Sequence, residues 1–145
     1  LLAGDLRVVA AGARLGLSEV KLGLIPAMGG TARLARLVSP ALAAEMLLTG
    51  NPIAADGALA AGLVNYVVSP DKVEEVAMEL AATIAANAPL AVKAARNIMR
   101  QAADLSEAEA LALEWAETQI IAKTEDAVEG PRALMEKRPP VFKGR

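Results

Sequence analysis

Hydrophobic positions change their spacing part-way along the chain. In the first half they fall in short runs cut by glycine and proline, and in the second they recur at helical intervals. Asp5–Ala10 (DLRVVA) is short and β-branched, which predicts a strand. Ala11-Gly12 reads as a turn and Ala13–Leu17 as a second short strand, while Ser18–Gly23 fits either a helical turn or a loop. Leu24–Gly30 is a loop punctuated by one Pro and two Gly. Helices follow from Thr31 to about Val38, from Ala41 to Leu48 and from Ala55 to Ala61, and Leu63–Val68 (LVNYVV) is the clearest strand.

After Ser69-Pro70-Asp71, a helix start with Ser or Asp as cap, the pattern is helical almost to the end. Lys72–Ala88 has apolar residues at 73, 76, 77, 80, 81, 84 and 85, the stripe of an amphipathic helix. Pro89 breaks it, and Leu90–Ala103 forms the next helix. Ser106-x-x-Glu109 is a capping box for a third, which carries Leu111, Trp115 and Ile121. Thr124 caps a fourth, with Glu125 and Asp126 in the first turn, where the helix dipole favours acids. Gly130-Pro131 is expected to kink or restart that helix, and Pro139-Pro140 to end it. The one seam in the pattern lies near Ser69–Lys72. It divides residues 1–70, strands mixed with short helices, from residues 71–145, helical throughout.

Composition narrows the chemistry. Hydrophobic residues make up 54% of the 145 and charged residues 22%, which speaks against intrinsic disorder. The chain has no Cys and no His, so disulfides, thiolate nucleophiles, His-based triads and the commonest metal ligands are excluded. No metal site is expected, and any acid–base work must use Asp, Glu, Lys or the single Tyr, with carboxylates leading. A net charge of −2 gives little for a general nucleic-acid binder. No apolar run reaches the roughly 18–20 residues of a membrane span, and no basic region precedes an apolar core as in a signal peptide. A cytoplasmic location is the expectation. The opening Leu1-Leu2-Ala3-Gly4 reads as the interior of a buried element, so the chain is expected to be part of a longer one.

Three places could carry chemistry. Glu19 lies among apolar neighbours just before the Pro26–Gly30 loop, where a carboxylate can be poised to give or take a proton. It could equally cap a helix or face solvent beside Lys21. Pro26-Ala27-Met28-Gly29-Gly30-Thr31 pairs two glycines with a helix start, which lets backbone approach a ligand closely. With no Lys after the glycines it is not a phosphate-binding P-loop, and a plain tight turn is the competing reading. Finally, Arg132–Arg145 holds five basic residues against one acid, on an otherwise acidic chain. That tail is either an anion site, suited to the phosphates of a nucleotide-like ligand, or a solvated end.

Taken together these segments resemble the enoyl-CoA hydratase/isomerase (crotonase) family over the whole chain. The most specific stretch is Leu17–Thr31 (LSEVKLGLIPAMGGT), similar to the family's proline-glutamate-x-x-x-glycine-x-x-proline-x-x-glycine-glycine segment. Leu48-Thr49-Gly50, Ala61–Asn65, Asn87–Ala91 and the ending Glu136–Arg145 (EKRPPVFKGR) match in the same order. Ser18 stands where the family usually has proline.

The resemblance implies an α/β fold. A crotonase-like spiral of ββα turns, its N-terminal turns lying upstream of Leu1, is followed by a helical domain that builds trimers, sometimes paired into hexamers. It implies an enzyme on acyl-CoA thioesters, with no cofactor beyond the CoA of the substrate. Two backbone amides, expected upstream of Leu1, would hold the thioester oxygen. Glu19 matches the glutamate that moves the proton at the α-carbon. Pro26, Ala27, Met28, Gly29 and Gly30 match the acyl-binding loop, where a Met replaces a common small residue and is expected to narrow or reshape the pocket. Leu134 and Lys137 match positions that contact the CoA of a neighbouring subunit. The leading expectation is an enoyl-CoA hydratase. A Δ3-Δ2 enoyl-CoA isomerase or another dehydratase or lyase keeps the same glutamate. A non-catalytic RNA-binding or assembly homologue is disfavoured by the charge and by 2% aromatic residues.

Overall fold

The computed structural model describes residues 1–145, which pack as two compact units, Leu1–Glu79 and Leu80–Arg145. The first is the mixed one. Strand β1 (Val8–Ala10) pairs in parallel with β4 (Tyr66–Val68), and β2 (Arg14–Leu15) pairs antiparallel with β3 (Ile53–Ala54). Between them lie a 3₁₀ turn at Glu19–Leu22 and the helices α1 (Gly30–Leu37), α2 (Pro40–Thr49) and α3 (Ala55–Ala60). The expected strands are there but shorter. Only Val8–Ala10 and Tyr66–Val68 join the ladder, because Arg7 and Asn65 leave it to bond each other. The Arg7 N–H donates to Asn65 Oδ1 at 2.8 Å, and the Asn65 N–H donates to the Arg7 carbonyl at 2.9 Å. The buried Arg7 guanidinium also donates to the carbonyls of Leu63 and Gly4, each at 2.6 Å.

The core of this unit gathers Val9, Leu34, Met46, Ala55, Ala58, Leu63 and Val64 from different elements. Leu34 is the buried residue of α1 and Met46 and Ala43 those of α2, so each helix turns one face inward. Ser39 caps α2 through its side chain, Pro40 occupies the first turn, and Gly50 closes the helix in the left-handed conformation that glycine adopts without penalty.

Helix α4 (Val73–Ala85) begins after a 3₁₀ turn at Pro70–Lys72, where Ser69 is the cap residue but its hydroxyl makes no capping bond. The second unit contains α5 (Pro89–Ala102), α6 (Glu107–Ile121) and α7 (Glu125–Met135). Pro89 sits in the first turn of α5, the one helical place that costs no hydrogen bond. The capping box at Ser106 and Glu109 forms as the spacing predicts, and the serine N–H and hydroxyl hold the Glu109 carboxyl below its ordinary pKa. Thr124 caps α7. Gly130-Pro131 does not restart that helix: α7 runs through Pro131 to Met135 and stops before the Pro139-Pro140 pair. The ring of Phe142 lies against Gly130, where a Cβ would come 3.8 Å from it, so the tail covers the place where the proline interrupts the helix.

The tail after α7 is tied back onto it by carboxylates of the helix's first turns. The buried Asp126 accepts the N–H groups of Lys143 and Gly144 at 2.7 and 2.8 Å. Glu129 takes both arms of the Arg138 guanidinium, at 2.6 and 3.0 Å, and the Val141 N–H at 2.8 Å. Apolar side chains stay outside: Met99, Leu111, Trp115 and Ile120 are exposed on α5 and α6, while the buried residues of this unit are Ala94, Asp126 and Ala133. No single helix is long and apolar enough to cross a membrane.

Two outcomes follow from this packing. Leu34→Ala removes a fully buried side chain at the centre of the first core and lowers its stability by about 2–5 kcal/mol in chemical denaturation. The second concerns acid. Arg138 and the Val141 amide hold Glu129 down to about 2 from 4.5. A carboxyl depressed in this way stabilises the fold above its unfolded value, and the contribution fades as pH falls toward the folded one. Glu129→Gln is therefore less stable than the parent at neutral pH, and the gap closes between about pH 4.5 and about 2, read as unfolding midpoints across that range.

Candidate active site

Glu19 opens the 3₁₀ turn, and Gly23 closes that turn with φ +72°. The Glu19 carbonyl accepts the Leu24 N–H at 3.0 Å, which fixes the residue's backbone. Its Oε2 is buried and has no hydrogen-bond partner. Lys21 does not pair with it: the Lys21 ammonium reaches Asn51 Oδ1 at 2.7 Å, and its stem lies over Gly50. Glu19 is thus neither paired with Lys21 nor fully exposed. A buried carboxylate oxygen without a donor is costly, and in a folded protein it calls for an explanation.

The Pro26–Thr31 loop is built by close approach. Pro26 is buried, and its carbonyl accepts both the N–H and the hydroxyl of Thr31, at 3.1 and 3.0 Å. A Cβ on Gly30 would come 3.0 Å from the Pro26 Cβ and 3.3 Å from a Leu17 methyl, so a larger residue there must push the loop off the strand side. Met28 and Gly29 both have positive φ, +57° and +92°. At Gly29 the Arg33 guanidinium lies where a side chain would be, donating to the Met28 carbonyl at 2.8 Å. Backbone and one long side chain thus wrap the start of α1.

Ala27, Met28, Gly29 and Gly30 border one cavity of about 490 Å³, together with Leu2, Leu15, Leu17 and the core residues Leu34, Met46 and Leu63. That volume is in the range of small-molecule sites, and its floor is apolar. Met28 stands at the rim with its side chain 98% exposed. Pro26 and Glu19 do not border the cavity. Two charged residues that were not sequence candidates do border it, Arg14 and Arg33. Arg33 was accessible to sequence reasoning, because it falls four residues after Gly29, one helical turn into α1.

Leu134 and Lys137 lie at the end of α7, both exposed and joined by a hydrogen bond from the Lys137 N–H to the Leu134 carbonyl at 3.2 Å. The basic tail proves to be mostly neutralised within the chain. Arg132 pairs with Glu136, Arg138 with Glu129 and Glu136, and Lys143 and Arg145 with Glu125. These cations and hydrogen bonds lower the carboxyl pKa of Glu125 and Glu136 as well. Of the five basic residues only Lys137 keeps a side chain without a partner, so the tail is no broad anion surface but a framework presenting one ammonium.

Comparison with known proteins places this geometry. The chain is 43% identical over 141 residues to a 2,3-dehydroadipyl-CoA hydratase of Escherichia coli K12, which covers 97% of the chain and 55% of that protein. It is 40% identical over 150 residues to a carnitinyl-CoA dehydratase of Salmonella typhi, covering 99% and 57% respectively. Among solved structures, an enoyl-CoA hydratase from Bacillus anthracis superposes with a TM-score of 0.96 at 40% identity, over 99% of this chain and 56% of that one. An enoyl-CoA hydratase from Mycobacterium tuberculosis H37Rv gives 0.96 at 36% identity, over 99% and 57%. The chain spans little more than half the length of these relatives, and its fold is crotonase-like. With the family model for enoyl-CoA hydratase/isomerase matching residues 1–145 in full, the chain belongs to that family.

Proposed function

We propose that these residues supply the proton-transfer carboxylate and part of the acyl pocket of a hydro-lyase acting on acyl-CoA thioesters, an enoyl-CoA hydratase. The observation that carries this reading is Glu19: a carboxyl oxygen buried without a donor, on a backbone fixed by its own turn, a few residues ahead in the chain of a loop that borders an apolar cavity. The names of the two relatives, a hydratase and a dehydratase of CoA thioesters, support water addition or removal over other chemistry.

In this reading the acyl group lies against Ala27–Gly30 and the apolar floor. Two backbone N–H groups in the part of the relatives not matched here hold the thioester oxygen as negative charge develops on it. Glu19 moves the proton at the α-carbon. Such positioned proton transfer contributes about 10²–10⁴-fold to a rate. Leu134 offers apolar surface and Lys137 an ammonium to the nucleotide end of a CoA bound by a neighbouring subunit. The exposed Met99, Leu111, Trp115 and Ile120 fit a homotrimer, alone or paired as a hexamer, in which such a face is covered. In this reading the unit Leu1–Glu79 carries the glutamate and the unit Leu80–Arg145 serves assembly.

In the protein that carries these residues, Glu19→Gln lowers kcat for crotonyl-CoA hydration by about 10²–10⁴-fold with little change in KM, followed as loss of the enoyl-thioester absorbance. An unchanged kcat would remove Glu19 from the mechanism. Residues 1–145 expressed by themselves show no hydration, because half of the proposed site lies outside them; measurable turnover would overturn that part of the proposal.

A further inference from the structure

Helix α7 ends in a cap of an uncommon kind. Glu136 is its last half-helical residue, the Lys137 N–H donates to the Leu134 carbonyl at 3.2 Å, and the Arg138 N–H donates to the Ala133 carbonyl at 3.0 Å. This pair of bonds defines a helix cap whose next residue must be left-handed, and glycine usually fills it. Here the residue is Lys137, with φ +52°. A lysine near a helix C-terminus gains something from the dipole, but it can do so one residue earlier without the left-handed backbone. A residue held off its preferred backbone points to a local demand that the surrounding structure enforces.

One of the two cap bonds comes from the Arg138 N–H, and the Arg138 side chain is itself anchored. Arg138 follows Lys137 directly, and its guanidinium is the most heavily paired cation of the tail. It is bidentate on Glu129, which also takes the Val141 N–H, and its Nε bonds Glu136 at 2.6 Å. Glu136 is held in turn by Arg132 at 2.9 Å. The two residues flanking Lys137 are therefore both pinned by side-chain ion pairs, while Lys137 itself has none.

We infer that Arg138, clamped by Glu129 and Glu136, is a positioning residue that helps hold Lys137 in the left-handed conformation and so sets the direction in which its side chain leaves the backbone, toward an anionic group of the ligand. The inference rests on the reading of Lys137 as a contact to the phosphates of CoA. A planar guanidinium with two parallel bonds sets an orientation that an ammonium cannot, so Arg138→Lys keeps the charge and loses the clamp.

The experiment is run on the protein that carries these residues, with one acyl group presented as its CoA thioester and as its N-acetylcysteamine thioester, which lacks the phosphates. Lys137→Gly suits the backbone better and is expected to fold with an unlowered Tm, yet to raise KM for the CoA thioester roughly three- to tenfold. Its KM for the short thioester should change much less. Arg138→Lys is expected to raise KM for the CoA thioester in the same selective way with kcat retained, and to add nothing in the Lys137→Gly background, where no ammonium is left to position. If Lys137→Gly leaves the CoA preference intact, the reading of Lys137 as a phosphate contact fails. If Lys137→Gly abolishes that preference while Arg138→Lys does not weaken it, or if the two effects simply add, the positioning role is overturned.

Discussion

The close approach of the Pro26–Gly30 loop to Leu17 is the constraint on which the first unit's site depends. A Cβ at Gly30 would sit tightly against Pro26 and Leu17, and Thr31 closes the loop by donating twice to the Pro26 carbonyl. With that contact made, α1 starts at a fixed place, Leu34 drops into the core beside Met46 and Leu63, and the cavity has a floor. The turn that carries Glu19 is held from the other side, where Val20 and Lys21 lie over Gly50 at the end of α2. Both walls of the candidate site thus rest on glycines that permit contact rather than on side chains that fill space.

The second unit solves a different problem. Its helices bury small residues and leave large ones outside, so packing within the unit alone gives it little apolar core. Carboxylates in the first turns of α7 compensate by gathering the tail: Asp126 takes two backbone amides, Glu129 a guanidinium and a third amide, and Glu125 the last two basic side chains. Charge-assisted bonds of this kind are shorter and stronger than neutral ones. They also consume nearly all of the positive charge that the tail displays in sequence.

Much of the element order was legible. Helical stripes, the capping box at Ser106, the cap at Thr124 and the Pro-Gly loop all rest on local rules, and local rules were obeyed. Two details depended on contacts far apart in the chain. Arg7 and Asn65 bond each other across 58 residues at the end of the β1–β4 ladder, and both strands are shorter than the pattern suggests. Helix α7 does not restart at Gly130-Pro131, and the ring of Phe142 lies against Gly130.

The sequence by itself determined the family, and it singled out the glutamate and the loop as candidates, because motif spacing and residue type carry that information. It also shows that these 145 residues contain neither His nor Cys. Only the tertiary structure decided that Lys21 turns to Asn51 and leaves the Glu19 oxygen unpartnered, that Arg14 and Arg33 border the cavity, and that four of five tail cations are spent on the chain's own acids. Partnership between charges depends on distance in space, and a sequence lists charges without their distances.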